Sequence, residues 1–284
     1  RLGENGPKVS AICLGTMMFG SRTNAASADK IVNIARNAGI NFIDTADVYG
    51  KGESERIVGR LIAKDRDKWV LASKGGNEMG PDRKGLSRKW IMRACDMSLK
   101  RLKTDTIDLY YLHVDDRTVD IEETMIALAD LIEIGKIRHW GFSNFSAWRI
   151  AEMVGVCDRL NLPRPIAGQP YYNAMNRMPE VEYLPACEAF GIGVVPYSPL
   201  ARGVLTAKYD PKAVLPKGSR AMRNDKRMMD TEWRKESLVI AQKIKKHAEK
   251  RGTKPGHFAV NWVLNNELVT SVIAGPRTIA QWKD

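Results

Sequence analysis

The regular order of apolar runs and amphipathic segments most restricts what this chain can fold into. Runs rich in β-branched and aromatic residues alternate with segments of helical periodicity along the 284 residues. The runs predict eight strands, near Val9–Gly15, Ile40–Asp44, Trp69–Ser73, Ile107–Leu112, Ile137–Phe142, Ile166–Gln169, Gly193–Tyr197 and Ser271–Ala274. This alternation is typical of βαβ units around a parallel sheet.

The segments between the strands predict helices, most of which open on a Ser or acidic cap and close near Gly or a basic residue. They are Ser27–Asn37, Ser54–Lys64, Arg88–Arg101, Ile121–Ile134, Ala147–Asp158, Glu180–Phe190 and Trp233–Lys250. Eight strand–helix units in a chain of this length favour a (β/α)8 barrel, formed as a single domain by residues 1–284, over an open doubly wound sheet. The interval between Tyr197 and Ser271 is much longer than the others, which predicts a long loop after the seventh strand together with more than one helix. The chain stops within a helix-like stretch, so we expect a C-terminal tail in the natural polypeptide.

The charge of the chain is strongly positive and unevenly distributed. The formal net charge is +12 at pH 7, which suits a nucleic acid, an anionic membrane or a phosphorylated cofactor. Between Arg202 and Lys254 sixteen basic residues face six acidic ones. That concentration argues against a uniformly basic surface for nucleic acid. Arg220, Arg223 and Arg227 are predicted to face phosphate, whereas the lysines at 243–250 equally suit a solvated helix face.

Several common sites have no support in the sequence. No G-x-G-x-x-G follows a strand, and neither a P-loop motif nor H-E-x-x-H occurs. The histidines lack metal-ligand spacing, so no metal site is predicted. The four cysteines, Cys13, Cys95, Cys157 and Cys187, form no close pair and are expected to be reduced and buried. No apolar run approaches the roughly 20 residues that cross a bilayer, and no signal peptide is evident, which predicts a cytoplasmic protein without membrane contact.

Four polar residues follow the predicted strands in the first half of the chain: Asp44, Tyr49, Lys74 and His113. In a barrel such residues share one rim, where catalytic groups gather. An adjacent ammonium lowers the pKa of a phenol, so Lys74, held by Asp44, is expected to activate Tyr49. His113 is placed to stabilise an oxyanion. Together these groups predict acid catalysis at a carbonyl oxygen, and a hydride from a nicotinamide would supply the nucleophile they lack.

Motifs along nearly the whole chain resemble the aldo-keto reductase superfamily. They are Asp44-Thr45-Ala46-x-x-Tyr49-Gly50, Ser73-Lys74, the run from Asp108 to His113, Gly141-Phe142-Ser143-Asn144-Phe145, Gln169 and Tyr197-Ser198-Pro199-Leu200. The resemblance implies a barrel that binds an extended nicotinamide dinucleotide without a Rossmann domain. It also implies that Asp44, Tyr49, Lys74 and His113 form a catalytic tetrad.

The resemblance further implies a set of cofactor-binding residues. Ser143, Asn144 and Gln169 would bind the carboxamide, Tyr197 would stack on the nicotinamide, Ser198, Leu200 and Arg202 would bind the pyrophosphate, Arg277 the 2′-phosphate and Gln281 the adenine. An arginine fork suits a phosphate. NADPH is therefore the expected cofactor, with NADH possible.

The sequence predicts an oxidoreductase that reduces an aldehyde or ketone to an alcohol with NADPH. Met17, Met18 and Phe19 suggest an apolar or aromatic small-molecule substrate. The alternative is a non-catalytic NADPH-binding regulatory subunit of the same fold. A third reading is a barrel aldolase that forms a Schiff base on Lys74. The physiological substrate and the oligomeric state stay open.

Overall fold

The computed structural model describes residues 1–210 and 213–284 and forms one parallel eight-stranded sheet. Its strands are β1 Ile12–Gly15, β2 Phe42–Asp44, β3 Val70–Gly75, β4 Ile107–Leu112, β5 Ile137–Ser143, β6 Ala167–Gln169, β7 Gly193–Val194 and β8 Val272–Ala274. They follow the order β7-β6-β5-β4-β3-β2-β1-β8. Hydrogen bonds from the Thr270 N–H to the Val194 carbonyl (2.9 Å) and from the Ile273 N–H to the Pro196 carbonyl (2.9 Å) join the two ends. The predicted (β/α)8 barrel is confirmed.

Helices connect the strands in the predicted order. They are α1 Ala25–Asn37, α2 Glu53–Ile62, α3 Arg88–Leu102, α4 Ile121–Glu133, α5 Ala147–Arg159, α6 Tyr183–Ala189, α7 Lys226–Thr231, α8 Lys235–Lys250, α9 Pro255–Leu264 and α10 Ile279–Lys283. Side-chain caps fix several starts: Asn24 accepts from the Ser27 N–H and Asp120 from the Glu122 N–H. Bounds for α7, α9 and α10 were not predicted, although more than one helix was expected after the seventh strand and a helix-like stretch was expected where α10 lies.

The segment between β7 and β8 contains more than one helix, as predicted, and the long loop expected there stays a prediction. It contains a 3₁₀ helix over Ala201–Thr206, followed by α7, α8 and α9. Buried residues from these elements, including Val204, Met228 and Ala241, form an apolar cluster of their own. The lysines of α8 at positions 243–250 are exposed. They form a solvated helix face, which is one of the two interpretations given for them above.

Period-two alternation divides the core into an inner and an outer layer. Phe42, Ala72 and Leu109 fill the barrel interior, and Leu2 belongs to the same buried cluster. Their neighbours Ile43 and Leu71 pack outward against the helices. The same alternation directs the side chains at the strand ends alternately into the barrel mouth and under the surrounding helices.

Two further features of the structure concern the cysteines and the length of the apolar helices. The four cysteines are free thiols and all are buried. No helix in the described ranges 1–210 and 213–284 is long and apolar enough to cross a membrane.

The close approach of α2 to α3 yields a testable prediction about stability. A Cβ at Gly59 would lie 2.1 Å from the Leu102 carbonyl oxygen, whereas one at Gly155 in α5 would meet nothing within 4 Å. We expect Gly59→Ala to lower the free energy of unfolding by about 1–3 kcal/mol, because backbone must move. Gly155→Ala, the matched control, should raise it by roughly 0.5–1 kcal/mol through helix propensity. Urea unfolding followed by circular dichroism measures both, and equal effects of the two changes would contradict the packing argument.

Candidate active site

A buried ammonium group lies at the centre of the barrel mouth. Lys74 is 0% exposed, and its Nζ forms an ion pair with Asp44 at the end of the neighbouring strand. Nζ also donates to the Thr45 carbonyl at 2.7 Å. Gln169 donates to the second Asp44 oxygen at 3.0 Å. Each polar atom of the pair is thereby satisfied, as a buried charge requires.

Tyr49 and His113 stand beside this ion pair. A 3₁₀ turn over Tyr49–Gly52 follows β2 and carries the Tyr49 hydroxyl to 3.4 Å from Lys74 Nζ. The His113 ring meets the Tyr49 ring edge-on, with centroids 5.9 Å apart. The structure therefore brings together all four residues of the predicted tetrad at one rim of the barrel.

Burial and nearby charges fix the protonation states of these groups. Burial raises the pKa of Tyr49 above its ordinary value, although Lys74 acts in the opposite direction. This net direction is opposite to the one expected from the sequence, because the cost of desolvating a phenolate exceeds the help from the ammonium. Burial alone would lower the pKa of Lys74, but Asp44 and Tyr49 raise it. Burial, Lys74 and Arg227 hold the pKa of His113 well below its ordinary value. The site thus contains a neutral phenol, a charged ammonium and a neutral imidazole.

A network of hydroxyl groups anchors the segment between Asp44 and α2. Ser54 Oγ lies 2.9 Å from both Thr16 Oγ1 and Thr45 Oγ1. It also donates to the Thr16 carbonyl at 2.9 Å. Because Thr45 supplies the carbonyl that accepts from Lys74, this network holds the backbone at the ammonium.

A second group of polar residues, which we call the tether, lies on the outer side of β3. It consists of Glu55, Ser73 and Arg101. Glu55 is 0% exposed and accepts from Ser73 Oγ at 2.6 Å and from Arg101 Nε at 2.5 Å. The Arg101 side chain lies against the bare Cα of Gly52, where a Cβ would be 2.6 Å from Arg101 Cδ. The tether therefore links the turn that carries Tyr49 to the strand that carries Lys74.

Asp47 is a second buried carboxyl group close to the tetrad. It is 1% exposed, and neither of its oxygens accepts a hydrogen bond from a side chain of a described residue. Burial and then Glu55 raise its pKa to about 7, while Arg101, the Val48 N–H and Lys74 only partly offset them. Asp47, Glu55 and Arg101 were not singled out from the sequence. For Asp47, the available signal was its place inside the Asp44–Gly50 motif.

The residues expected at the nicotinamide lie together beside the tetrad. Ser143 Oγ donates to the Gln169 carbonyl at 2.9 Å. Asn144 adopts the left-handed conformation (φ 64°), and its amide contacts Ser143 Oγ at 3.1 Å. The Tyr197 hydroxyl donates to Asn144 at 2.9 Å, and its ring stacks on Tyr171 with centroids 5.6 Å apart. The amide of Gln169 is engaged with Asp44, a contact that sequence reasoning did not anticipate.

The residues expected at the pyrophosphate and adenosine follow β7 and β8. Ser198 and Arg202 have positive φ values of 58° and 54°. Leu200 is half-buried, and Arg202 donates to Thr231 at 3.2 Å. Gln281 forms a capping box with Thr278 at the start of α10 and accepts from the Arg277 N–H at 3.0 Å.

Several cations converge between these elements, and we call them the cation cluster: Arg22, Lys208, Arg220, Arg223 and Arg277. Arg277 and Arg223 both donate to the Gly218 carbonyl, the former at 3.2 Å. Burial lowers the pKa of Lys208, as do the neighbouring guanidinium groups. Asp225 pairs with Arg220 at 3.2 Å. Repulsion among like charges makes the cluster suited to an anion with several negative charges.

No group of His, Cys, Asp and Glu residues within the described ranges could hold a metal ion. The site is thus a parallel barrel whose mouth contains a buried Lys–Asp pair, a tyrosine and a histidine beside a basic groove. A model of the Aldo/keto reductase family matches residues 11–284. The chain belongs to this family.

The chain is also similar to individual proteins over most of its length. The chain is 39% identical over 283 residues to an Arabidopsis thaliana protein named probable voltage-gated potassium channel subunit beta, covering 96% of this chain and 85% of that protein. It is 36% identical over 296 residues to the uncharacterized oxidoreductase YrpG of Bacillus subtilis, covering 100% and 88%. A Schizosaccharomyces pombe protein named putative voltage-gated potassium channel subunit beta is 35% identical over 286 residues, covering 96% and 83%.

Asp47 yields a prediction about stability and pH. Its pKa is about 7 in the folded protein and about 3.9 in an unfolded chain. The folded state binds the proton more tightly, so Asp47 destabilises the protein increasingly between these values and by a constant amount above pH 7. Asp47→Asn should therefore gain stability relative to the wild type by about 2–3 kcal/mol between pH 5 and pH 7.5.

Urea unfolding at both pH values measures this gain. Asp116 is the control, because hydrogen bonds from Thr118 and Leu86 overcome burial and lower its pKa. The difference between Asp116→Asn and the wild type should stay constant over the same interval. A constant difference for Asp47→Asn as well would show that Asp47 ionises normally.

Proposed function

We propose that the protein reduces an aldehyde or ketone to an alcohol with a nicotinamide dinucleotide, preferably NADPH. The observation that carries this proposal is the fully buried Lys74, which contacts both Asp44 and the Tyr49 hydroxyl. An ammonium in this position stabilises negative charge on the phenol oxygen when its proton leaves. Membership in the aldo/keto reductase family supports the same reaction class.

The roles of the chain's own residues follow from their geometry and protonation. Tyr49 is neutral at rest and donates its proton to the carbonyl oxygen, while Lys74, which Asp44 keeps charged, stabilises the phenolate that remains. His113 is neutral, so one ring nitrogen carries hydrogen and orients the carbonyl oxygen. When bound, the dihydronicotinamide supplies the hydride that the carbonyl carbon accepts.

The residues around the mouth fit such a cofactor. Tyr197 offers an aromatic face, and Ser143 and Asn144 offer hydroxyl and amide groups beside it. The cation cluster suits a pyrophosphate and a 2′-phosphate, and Arg277 and Arg223 point at one carbonyl, that of Gly218. We therefore keep NADPH as the proposed cofactor and a small-molecule carbonyl compound as the proposed substrate.

A second candidate is an NADPH-binding regulatory subunit with little or no turnover. Two relatives, at 39% and 35% identity, are named as potassium channel subunits. The reductase is favoured because the neutral Tyr49 can donate a proton and the charged Lys74 beside it can stabilise the phenolate that forms. Binding of NADPH without oxidation of it by any carbonyl compound would favour the regulatory subunit.

The aldolase alternative fits the site less well. A Schiff base requires an uncharged amine. Asp44 holds Lys74 in its charged form by a direct ion pair, and Tyr49 adds to this effect.

Free, buried cysteines accord with a reducing compartment, which supports a cytoplasmic location.

The first functional prediction concerns the proton donor. The wild type should oxidise NADPH in the presence of aromatic aldehydes such as 4-nitrobenzaldehyde, followed by absorbance at 340 nm. Tyr49→Phe removes the proton and should lower kcat by about 10²–10⁴-fold, with the Kd for NADPH little changed. Tyr209→Phe, which removes a buried hydroxyl from the apolar cluster that the elements after β7 form, is the control. Full activity of Tyr49→Phe would exclude the proposed mechanism.

The second functional prediction concerns cofactor choice. Arg277→Ala should weaken the binding of NADPH by about tenfold or more and leave NADH nearly unchanged, because NADH lacks the 2′-phosphate that a guanidinium binds. Fluorescence titration with both dinucleotides measures the two affinities. Arg159→Ala, on the surface at the end of α5, serves as the control for loss of one positive charge. Equal losses for NADPH and NADH would exclude a 2′-phosphate contact.

A further inference from the structure

A buried group of charges behind the tetrad takes no part in the reaction described above. Lys74 points into the barrel mouth, whereas Ser73, its neighbour on β3, points outward to the tether. Asp47 lies in the same outer region, and its N–H donates to the Lys74 carbonyl at 3.1 Å. The tetrad therefore lies on the inner side of the end of β3, and Asp47 and the tether lie on its outer side.

Ionisable groups of α2, α3, β3 and β4 lie near Asp47. Glu55 of α2 and Arg101 of α3 act on it with opposite signs, and Lys74 of β3 acts in the same direction as Arg101. Tyr110 of β4 also lies nearby, with its hydroxyl against the bare Cα of Gly75. Burial and Asp47 both raise the pKa of Tyr110, so this phenol stays neutral.

No side-chain hydrogen bond from a described residue holds Asp47 in its buried position. A buried carboxylate without a side-chain partner is costly. Asp47 is 1% exposed and has no such partner among the described residues. Glu55, by contrast, is fully paired with Ser73 and Arg101. The unpaired Asp47 is therefore the member of this group that can exchange a proton at moderate pH.

We propose that Asp47 is a pH-responsive positioning residue, whose ionisation behind the Lys74 strand weakens Tyr49 as a proton donor. This inference rests on the proposed function, because it concerns how the rate of that reaction responds to pH. An ionised Asp47 would offset part of the field of Lys74. Tyr49 would then lose some of the stabilisation of its phenolate, and proton donation would slow.

The remaining groups of the site leave a clear interval in which this effect is visible. The pKa values of Tyr49 and Lys74 are raised above their ordinary values near 10, and that of His113 is held well below 6.5. None of them titrates in the free protein near pH 7. Among these groups and Asp47, a change in the rate of reduction near neutral pH is therefore assigned to Asp47, and the variants below test that assignment.

The test is the pH dependence of kcat/KM for aldehyde reduction between pH 5.5 and 9, because kcat/KM reports the ionisation of groups before the aldehyde binds. The wild type should fall by about threefold or more through an inflection near pH 7, and Asp47→Asn should remove the inflection. Glu55→Gln keeps the hydrogen-bonding shape and removes a negative charge, so the inflection should move to lower pH. Arg101→Gln removes a positive charge, so it should move to higher pH. If Glu55 and Arg101 only held the structure together, loss of either would break the same ion pair, and the two variants would not shift the inflection in opposite directions.

Asp108→Asn is the matched control. Asp108 is paired with Arg66 at 2.7 Å and accepts from the Leu71 N–H at 2.9 Å, at the opposite end of β3. Asp108→Asn removes a similar ion pair and should leave the inflection of the pH profile near pH 7 in place. An inflection that survives in Asp47→Asn, or shifts in the same direction in both tether variants, would overturn the proposal.

A second readout does not depend on turnover. The ¹³C carboxyl resonance that disappears in Asp47→Asn should titrate near pH 7 in the wild type, lower in Glu55→Gln and higher in Arg101→Gln. Titration near pH 4 would overturn the inference even in an active enzyme. If the wild type binds NADPH but reduces no carbonyl compound, the proposed function fails, and so does the rate effect assigned to Asp47. The resonance then decides only whether Asp47 ionises as described.

Discussion

The ion pair between Lys74 and Asp44 is the constraint on which the rest of the barrel mouth depends. An ammonium with no exposed surface is tolerable only if each of its hydrogens and its counter-charge are satisfied. Asp44, the Thr45 carbonyl and the Tyr49 hydroxyl meet this need, and Gln169 completes the carboxylate. These partners come from different strand ends, so the charge can be buried only when the barrel has formed.

Strand register decides which side chains can serve this charge. Successive residues of β3 face opposite sides, so Lys74 enters the mouth while Ser73 joins the tether under α2 and α3. A shift of one residue would exchange them. The Tyr49 turn is held from both sides, by Ser54 at the mouth and by Arg101 against Gly52 on the outside. A short turn thereby positions an aromatic hydroxyl without belonging to the sheet.

The uneven charge of the chain has a structural explanation in part. Lys208, Arg220 and Arg223 come from the basic segment after β7, but Arg22 and Arg277 come from the ends of the chain and complete the cation cluster with them. The lysines of α8 stay on the surface, where water solvates them at little cost. A positive segment in the sequence is thus divided into a converging site and an ordinary helix face.

The sequence by itself predicted the barrel and the four polar residues that the structure brings together at its mouth, because strand periodicity and polar residues at strand ends are local patterns. It did not determine the direction of the Tyr49 pKa, since burial depends on every element that covers the ring. Nor did it indicate that Gln169 would bind Asp44 from across the barrel. Asp47 reads locally as a loop residue; only the packing of α2 and α3 over β3 encloses it beside Glu55. Desolvation is a property of the surroundings, and only the tertiary structure supplies them.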